Sequence, residues 1–527
     1  MTKKMEEAQK RRALELLVKI SSLRGDKQYE EALSRLEEAA RLYPGFLPIL
    51  AEKGAVLFES GRAEEAIACF DQLLKSIDSP QVRQVRAICF NQLLSECNRT
   101  LAGNRENVGV LLKRANILER LHRFEEAVRD YDAALAIRID EVATLWNRRS
   151  NALLDLDRPE EALEGYNRGL ELLPSNASLL FNRGNVHQKL ARMKEAVADY
   201  DRALEFRPDL AEARMERSHC RLATGDFERG FREYESRWET AQLRHVRSGS
   251  LQPLWLGEEN LSGKTILLWA EQGYGDTIQF MRYVPLVARA AGATILRVPA
   301  VLASLAGSLD CPVSIVSMGD DLPEHDFHCP LMSLPLALGG RLETIPTEIP
   351  YLRAPKERVE KWRTRLGGPK RLRVGLAWAG RRREPANHTR DMRLEMFLPL
   401  MRLEVDLISL QKEVPEQDVD FLESMPRLAR IGEELSDFAD AAALIENLDM
   451  VLSVDSAIAH LAGALGKPTW IVLRHSGEWR WFLERHDSPW YPTARLFRQK
   501  SPGDWAGVVA DLVREVGSAA ACGIDSL

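Results

Sequence analysis

Through the first half of the chain, apolar and small residues recur at the three- and four-residue spacing of amphipathic helices. From about residue 250 the pattern changes. Short β-branched runs alternate there with Gly-rich turns and helical stretches. The change predicts an all-α region followed by an α/β region. The turn-prone stretch 247–250, RSGS, is the expected joint.

The helical half repeats itself. A small residue is followed four positions on by an aromatic, and three later by a second small residue. Ala127, Tyr131 and Ala134 fit, as do Ala162, Tyr166 and Gly169, and Ala196, Tyr200 and Ala203. Looser copies sit at Ala32, Leu36 and Ala39, at Ala66, Phe70 and Leu73, and at Gly230, Tyr234 and Arg237. The first small residues recur at steps of 34, 61, 35, 34 and 34, and the long step leaves room for one shortened unit near residues 81–107. Pro44, Pro174 and Pro208 fall where a helix should stop. Each unit reads as two antiparallel helices that cannot bury their apolar stripe alone, so stacking yields a solenoid with a concave groove. The Tyr and Phe positions are expected in its core, not in a ligand cage. The stretches GAVLFESGRAEEAIACFDQLL and LWNRRSNALLDLDRPEEALEGYNRGLELLP resemble the tetratricopeptide repeat, in six to seven units over residues 13–245.

In the second half, strands are expected at 264–270, 294–299 and 313–317, then at 371–380, 406–411, 450–456 and 468–473. Helices are expected after residue 276, near 394–403, at 438–448 and at 457–466. Two successive β/α sets imply two Rossmann-like lobes, 250–365 and 370–515, with ligands at the carboxyl ends of the strands.

Three strand ends carry candidate chemistry. In EQGYGD (271–276), Gly273 and Gly275 permit a tight turn, and Asp276 opens a helix. Asp276 reads equally as a helix cap and as a general base. The six-residue dinucleotide fingerprint is absent. In VGLAWAGRRREPANHTRDMR, a strand runs into Ala379 and Gly380 and then a basic loop. Arg381, Arg382, Arg383, Arg390 and Arg393 either meet a diphosphate, with Arg390 favoured, or form a solvated charged loop. In SVDSAIAHLAGALGKP, Asp455 and Ser456 end a strand and small residues open a helix, whose free N–H groups suit an anion. His460 reads as either a structural histidine or a residue facing the cleft, while Leu461, Ala462 and Leu465 read as packing. The aromatics Trp479, Trp481, Trp490 and Tyr491 are expected to pack, with base or sugar stacking as the alternative. His325 and His328 lack a partner Cys/His pair, so no metal site is expected.

Composition narrows the function. Lys and Arg number 72 against 78 Asp and Glu, a net charge of −6, which disfavours a general nucleic-acid binder. No apolar run is long enough for a membrane helix, and no secretion signal is seen. The seven cysteines are scattered without a C-x-x-C pair, as expected of reduced thiols in a cytoplasmic protein.

EQGYGDTIQFMRYVPL together with SVDSAIAHLAGALGKPTWIVL resembles glycosyltransferase family 9, which includes the bacterial heptosyltransferases. The whole chain is closer to a bacterial set in which tetratricopeptide repeats precede such a domain. The resemblance covers about residues 250–515. It implies a GT-B fold of two Rossmann-like lobes and an inverting transfer that needs no metal or other cofactor, with a nucleotide sugar as donor substrate. By motif match, Asp276 stands at the catalytic carboxylate. Asp455, Ser456, Ala457 and His460 stand in the donor-phosphate segment, and Trp378, Gly380 and Arg390 in the segment meeting the donor from the second lobe's first strand. Gln411 and Lys412 are weaker candidates for nucleotide or phosphate. The heptosyltransferases lack the repeats, so their lipid-acceptor features are not carried over. A protein or glycan acceptor, held by the repeat groove, is the expected partner. The alternative is a non-catalytic scaffold with a degenerate transferase-like domain. A hydrolase or epimerase acting on nucleotide sugars is a third reading.

Overall fold

The structure is a computed structural model that describes residues 3–137, 142–246, 249–369, 371–380 and 390–522. Arg381, Arg382 and Arg383, and Arg247 and Ser248 of the joint, lie outside the described residues. The chain forms two compact units, residues 1–179 and 180–527.

The first unit is helical. Hairpins are formed by α1 (Lys3–Gly25) with α2 (Tyr29–Leu42) and α3 (Leu47–Glu59) with α4 (Ala63–Ser76). The shortened unit is one 24-residue helix, α5 (Pro80–Gly103). Ser79 Oγ caps it, Pro80 opens it, and no turn residue interrupts it before Gly103. Two more hairpins follow, α6 (Val108–Arg120) with α7 (Phe124–Ile137) and α8 (Val142–Asp155) with α9 (Pro159–Leu172).

The repeat works as its spacing implies. Ala32, Ala66, Ala127, Ala162 and Ala196 are fully buried, as are Tyr131, Tyr166 and Tyr200. A Cβ on Gly54 would lie 2.6 Å from the ring of Phe70, and one on Gly184 would lie 2.6 Å from that of Tyr200. Glycine there lets the second helix seat its aromatic ring against the backbone of the first. The tyrosine hydroxyls stay satisfied: Tyr131 donates to Glu119 (3.0 Å) and Tyr200 to Asn185 (2.8 Å). A further periodicity is in the backbone. Lys27, Gly61, His122, Asp157, Ala191 and Gly225 all have positive φ, at the same steps as the repeat. Each ends the first helix of a hairpin with a bond of the Arg62 N–H to Leu57 O type, the left-handed C-cap that favours glycine.

The boundary falls within α10 (Ala177–Lys189), which pairs with α11 (Met193–Phe206), and α12 (Ala211–Ala223) pairs with α13 (Phe227–Tyr234). Two parallel sheets follow. The first, in the order β3-β2-β1-β4, contains β1 (Thr265–Trp269), β2 (Ala293–Val298), β3 (Ser314–Ser317) and β4 (Phe327–Pro330). The second runs β10-β9-β8-β5-β6-β7. Its strands are β5 (Leu372–Ala377), β6 (Val405–Ser409), β7 (Leu428–Ala429), β8 (Met450–Val454), β9 (Thr469–Leu473) and β10 (Ala494–Arg498). The chain is therefore an all-α tetratricopeptide-repeat solenoid followed by two Rossmann-like α/β layers.

In each sheet the strand order reverses beside the first strand: between β1 and β4, and between β5 and β8. Such switch points open a crevice at the strands' carboxyl ends. The turn 271–276 leaves the end of β1, and residues 378–380 and 455–456 leave the ends of β5 and β8.

The last hairpin shares its core with the α/β layers. Phe227 stacks on Phe482 (6.1 Å, 14°) and on Trp490 (5.8 Å, 23°), and Phe231 meets Trp479 edge-on at 5.7 Å. Leu222, Phe227, Phe231 and Tyr234 belong to the same buried cluster as Ile266, Leu302, Trp481 and Trp490. Burying each such ring is worth about 2–3 kcal/mol, so this hairpin is held as core. Among the described residues no helix is long and apolar enough to cross a membrane. Cys69, Cys89, Cys97, Cys220 and Cys329 are buried free thiols, and Cys311 is a half-buried one.

Candidate functional site

Two helix starts meet at the site. The turn after β1 leads into the helix Tyr274–Phe280, and the segment after β8 leads into the helix Ala457–Ala464. Gly275 is the contact. A Cβ there would lie 2.8 Å from His460 Cδ2 and 3.5 Å from Ala457 Cα. The second glycine of the turn therefore lets Asp276 approach the 455–460 segment.

Asp276 does act as a cap. Its Oδ2 accepts from the Gly273 N–H at 3.0 Å. Its Oδ1 is taken by a tight ion pair with Arg480 Nη2. Arg480 is buried, donates from Nε to Gln279 Oε1 (2.8 Å), lies 4.7 Å from the Trp479 ring and has Glu478 3.7 Å away. It thus ties the helix after β1 to the segment after β9.

Asp455 is buried with its Oδ1 3.9 Å from His460 Nε2. Burial raises its pKa and the Glu478 charge adds to that, against Arg390 and Arg480. Glu478 moves the other way: burial pushes it up, but Arg480 and Arg474 prevail and hold it low. His460 is buried, stacks on Trp481 at 5.2 Å and shares a 2.9 Å hydrogen bond between Nδ1 and the Tyr491 hydroxyl. Burial, reinforced by Arg480, Arg282 and Arg390, drives its pKa far down and keeps it neutral. Ser456 Oγ accepts from the Ile458 N–H (3.2 Å) and pairs with Ser453 Oγ (2.9 Å). Ser456 is thus the N-cap of its helix.

Around these carboxylates, several buried donors have no acceptor among the described residues. Arg498 gives two bonds from Nη2, to Trp481 O (2.9 Å) and Phe482 O (2.8 Å), while its Nε and Nη1 have no hydrogen-bond partner. Burial lowers its pKa to about 10, with Asp455 opposing. Arg390 lies over Gly380, where a Cβ would come within 3.1 Å of its Nη2, and its buried Nε has no partner among the described residues. Gln279 Nε2 is a third such donor. Buried donors of this kind are rare unless something else completes them.

The structure thus brings together Asp276, Asp455, Ala457 and His460, with Gly380 and Arg390 beside them. Three others have protein partners of their own. Trp378 is a core residue rather than a donor contact: it is fully buried, and its Nε1 donates to Asp418 (3.0 Å). Gln411 fastens the 378–380 loop, accepting from the Trp378 and Ala379 N–H groups and donating to Ala379 O and Glu413 O. No polar atom of its amide is left over for a nucleotide. Lys412 is exposed and donates to Ser436 O at 3.0 Å. Arg393 lies 3.4 Å from the Asp418 carboxylate. Trp479, Trp481, Trp490 and Tyr491 are all buried and pack. His325 bonds Ser250 Oγ (2.7 Å), and His328 accepts from Trp269 Nε1 (3.3 Å).

Sequence reasoning missed Arg480, Glu478, Gln279 and Arg498. The available signal was GEWRWF, in which charges interrupt an aromatic run expected to pack.

The fold defines a helical-repeat protein joined to an α/β region of two parallel sheets. Comparison with known families sharpens that class. Tetratricopeptide-repeat profiles match residues 23–89, 112–177 and 177–210. A profile of glycosyltransferase family 9 (heptosyltransferase) matches residues 435–482, which include Asp455, Ser456, Ala457, His460, Glu478 and Arg480. Protein FlbA of Caulobacter vibrioides is 25% identical over 440 residues, covering 76% of this chain and 71% of FlbA. A DnaJ homolog subfamily C member 7 homolog of Schizosaccharomyces pombe is 31% identical over 156 residues, 29% of this chain and 30% of that protein. The crystal structure of MamA matches at 14% identity over 32% of this chain and 98% of MamA, with a TM-score of 0.28. The chain is a glycosyltransferase-like protein with tetratricopeptide repeats.

Proposed function

We propose that the protein transfers a sugar from a nucleotide sugar to an acceptor recruited by its repeats, with inversion and without a metal. One observation carries this reading: the turn bearing Asp276 packs against the 455–460 segment, and Arg390 and Arg498, within the field of Asp455, keep buried N–H groups with no acceptor among the described residues. A nucleoside diphosphate has the charge and the acceptor oxygens to complete Arg390 and Arg498. The acceptor hydroxyl oxygen attacks the anomeric carbon as the bond to the diphosphate breaks. The electron pair leaves with the nucleoside diphosphate, and the hydroxyl proton passes to Asp276. Arginine and helix N–H groups offset the charge that develops on the leaving group. Attack from the side of Asp276, opposite the diphosphate, inverts the centre. Arg480 has to turn from Asp276 toward the diphosphate for this to happen. The repeats favour a protein or glycan acceptor, since a solenoid groove suits an extended ligand.

That same ion pair favours a second reading. With Arg480 on Asp276, the region serves as a binding scaffold without turnover. The readings separate when the full chain is incubated with a panel of sugar nucleotides and host extract, with released nucleoside diphosphate and glycosylated products followed by mass spectrometry. Transfer predicts product from wild type, and a loss on the order of 10²–10⁴-fold in Asp276→Ala. No product from any donor would leave the scaffold.

A further inference from the structure

The turn that carries Asp276 is gripped from the helical side. Arg237, just after α13, is fully buried. Its Nη2 donates to Glu271 Oε1 (3.3 Å) and Ser333 Oγ (2.6 Å), and its Nη1 to Glu235 Oε1 (2.6 Å) and Tyr234 O (3.3 Å). The guanidinium lies 4.8 Å from the Tyr234 ring and 4.4 Å from the Trp238 ring. The Met332 N–H donates to the same Glu271 oxygen at 3.1 Å. At the next residue, Gln272 Nε2 donates to the Tyr234 hydroxyl at 2.7 Å. Tyr234 is buried, and its hydroxyl also feels the charges of Arg480 and Asp276.

Two successive residues of the turn are therefore held by Tyr234, at the end of the last repeat hairpin, and by Arg237 just after it. The helix that follows has seven residues. A helix this short does not fix its own start, because the first turn costs more than it returns. Contacts from outside must place Asp276.

We propose that Tyr234 and Arg237 are positioning residues for Asp276, so that the last repeat hairpin is a working part of the transfer site. The proposal rests on the transfer reading above and extends it to the repeats. Misplacing a reacting group by about 1 Å costs on the order of 100-fold in rate. A partial loosening costs less.

The test uses the full chain with Tyr234→Phe, which keeps the ring and removes the hydroxyl. Arg237→Met is the harsher companion, and Tyr234→Phe carries the test should Arg237→Met fail to fold. Amide hydrogen exchange over residues 271–277 should quicken about 5- to 10-fold, the effect of one ordinary hydrogen bond on local opening. Exchange over residues 142–170 should stay as in wild type. With a donor that wild type turns over, kcat should fall about 10-fold while the donor KM stays within about 2-fold. A general loss of stability would not give that split. Unchanged exchange and unchanged kcat in Tyr234→Phe overturn the positioning role, while wild-type turnover keeps the transfer reading. A chain that neither binds nor turns over any sugar nucleotide overturns the transfer reading, and the role of these residues in it, whatever the exchange shows.

Discussion

Buried charge is handled in two ways in this molecule. In the repeats, Asp130 is buried and accepts two bonds from Arg114, at 2.8 and 2.6 Å, and Asp199 accepts two from Arg183, at 2.7 and 2.6 Å. Both pairs span 16 residues, the first helix of a hairpin bonding its second. At the α/β site, Asp455 meets Arg390 and Arg480 only through their field, and Arg498 keeps two buried nitrogens without acceptors. Closed fork pairs hold a fold together. Open ones cost stability and persist where a ligand completes them.

Removing one member from each arrangement should give opposite results. Arg114→Met leaves Asp130 buried and unpaired, and should destabilise the first unit by about 3 kcal/mol in urea unfolding. Arg498→Met removes a buried charge whose pKa burial already depresses to about 10. Its melting temperature should hold or rise, at the expense of ligand binding. A large stability loss in Arg498→Met, with Arg114→Met neutral, would reverse the contrast.

A comparable effect, spread over a pH range, lies in Glu271. Glu271 is buried and its pKa is pushed up to about 7, by burial first, with Arg237 and the Met332 N–H pulling against it. The folded value lies above the ordinary 4.5, so its contribution to stability is full below about pH 4.5 and is lost as pH rises toward 7. The loss is on the order of 3 kcal/mol. Glu271→Gln should flatten the difference in melting temperature between pH 5 and pH 7.5. An unchanged slope would mean that Glu271 is ionised throughout.

The smallest effect probes the repeat backbone. Ala191 has φ 58° where Gly61 and Gly225 occupy the matching positions. Ala191→Gly should stabilise by about 1 kcal/mol in thermal melts. A lower melting temperature would mean that the lost side chain mattered more than the relieved backbone.

The architecture was legible because it is local. Seven strands fall where β-branched runs predict them, since a run such as ILLW satisfies its own spacing. Three strands escaped. β4 is FHCP, with a proline and a polar residue, β7 has two residues, and β10 is ARLFR, which reads as charged. The helix expected near 394–403 is a 3₁₀ helix, Leu394–Arg402, with Pro399 inside it. The shortened repeat proved to be a single helix because nothing between Pro80 and Gly103 breaks it.

Site residues divide the same way. Asp276, Asp455 and His460 follow strands and can be read from the turn chemistry. Arg480 cannot, since it lies 204 residues from Asp276 and only folding brings them together. Motif match puts Trp378 in the donor-meeting segment, yet Asp418 holds its indole inside.

Calorimetric titration of the full chain with ADP, UDP, GDP and CMP, in wild type and in Arg498→Met, bears most directly on the open arginines. If they seat a nucleoside diphosphate, one of the diphosphates binds wild type, and Arg498→Met weakens it about 10- to 100-fold, the worth of a charge-assisted hydrogen bond. No binding by any of the four, or equal affinity in the two proteins, would mean that the buried nitrogens of Arg498 await nothing of this kind.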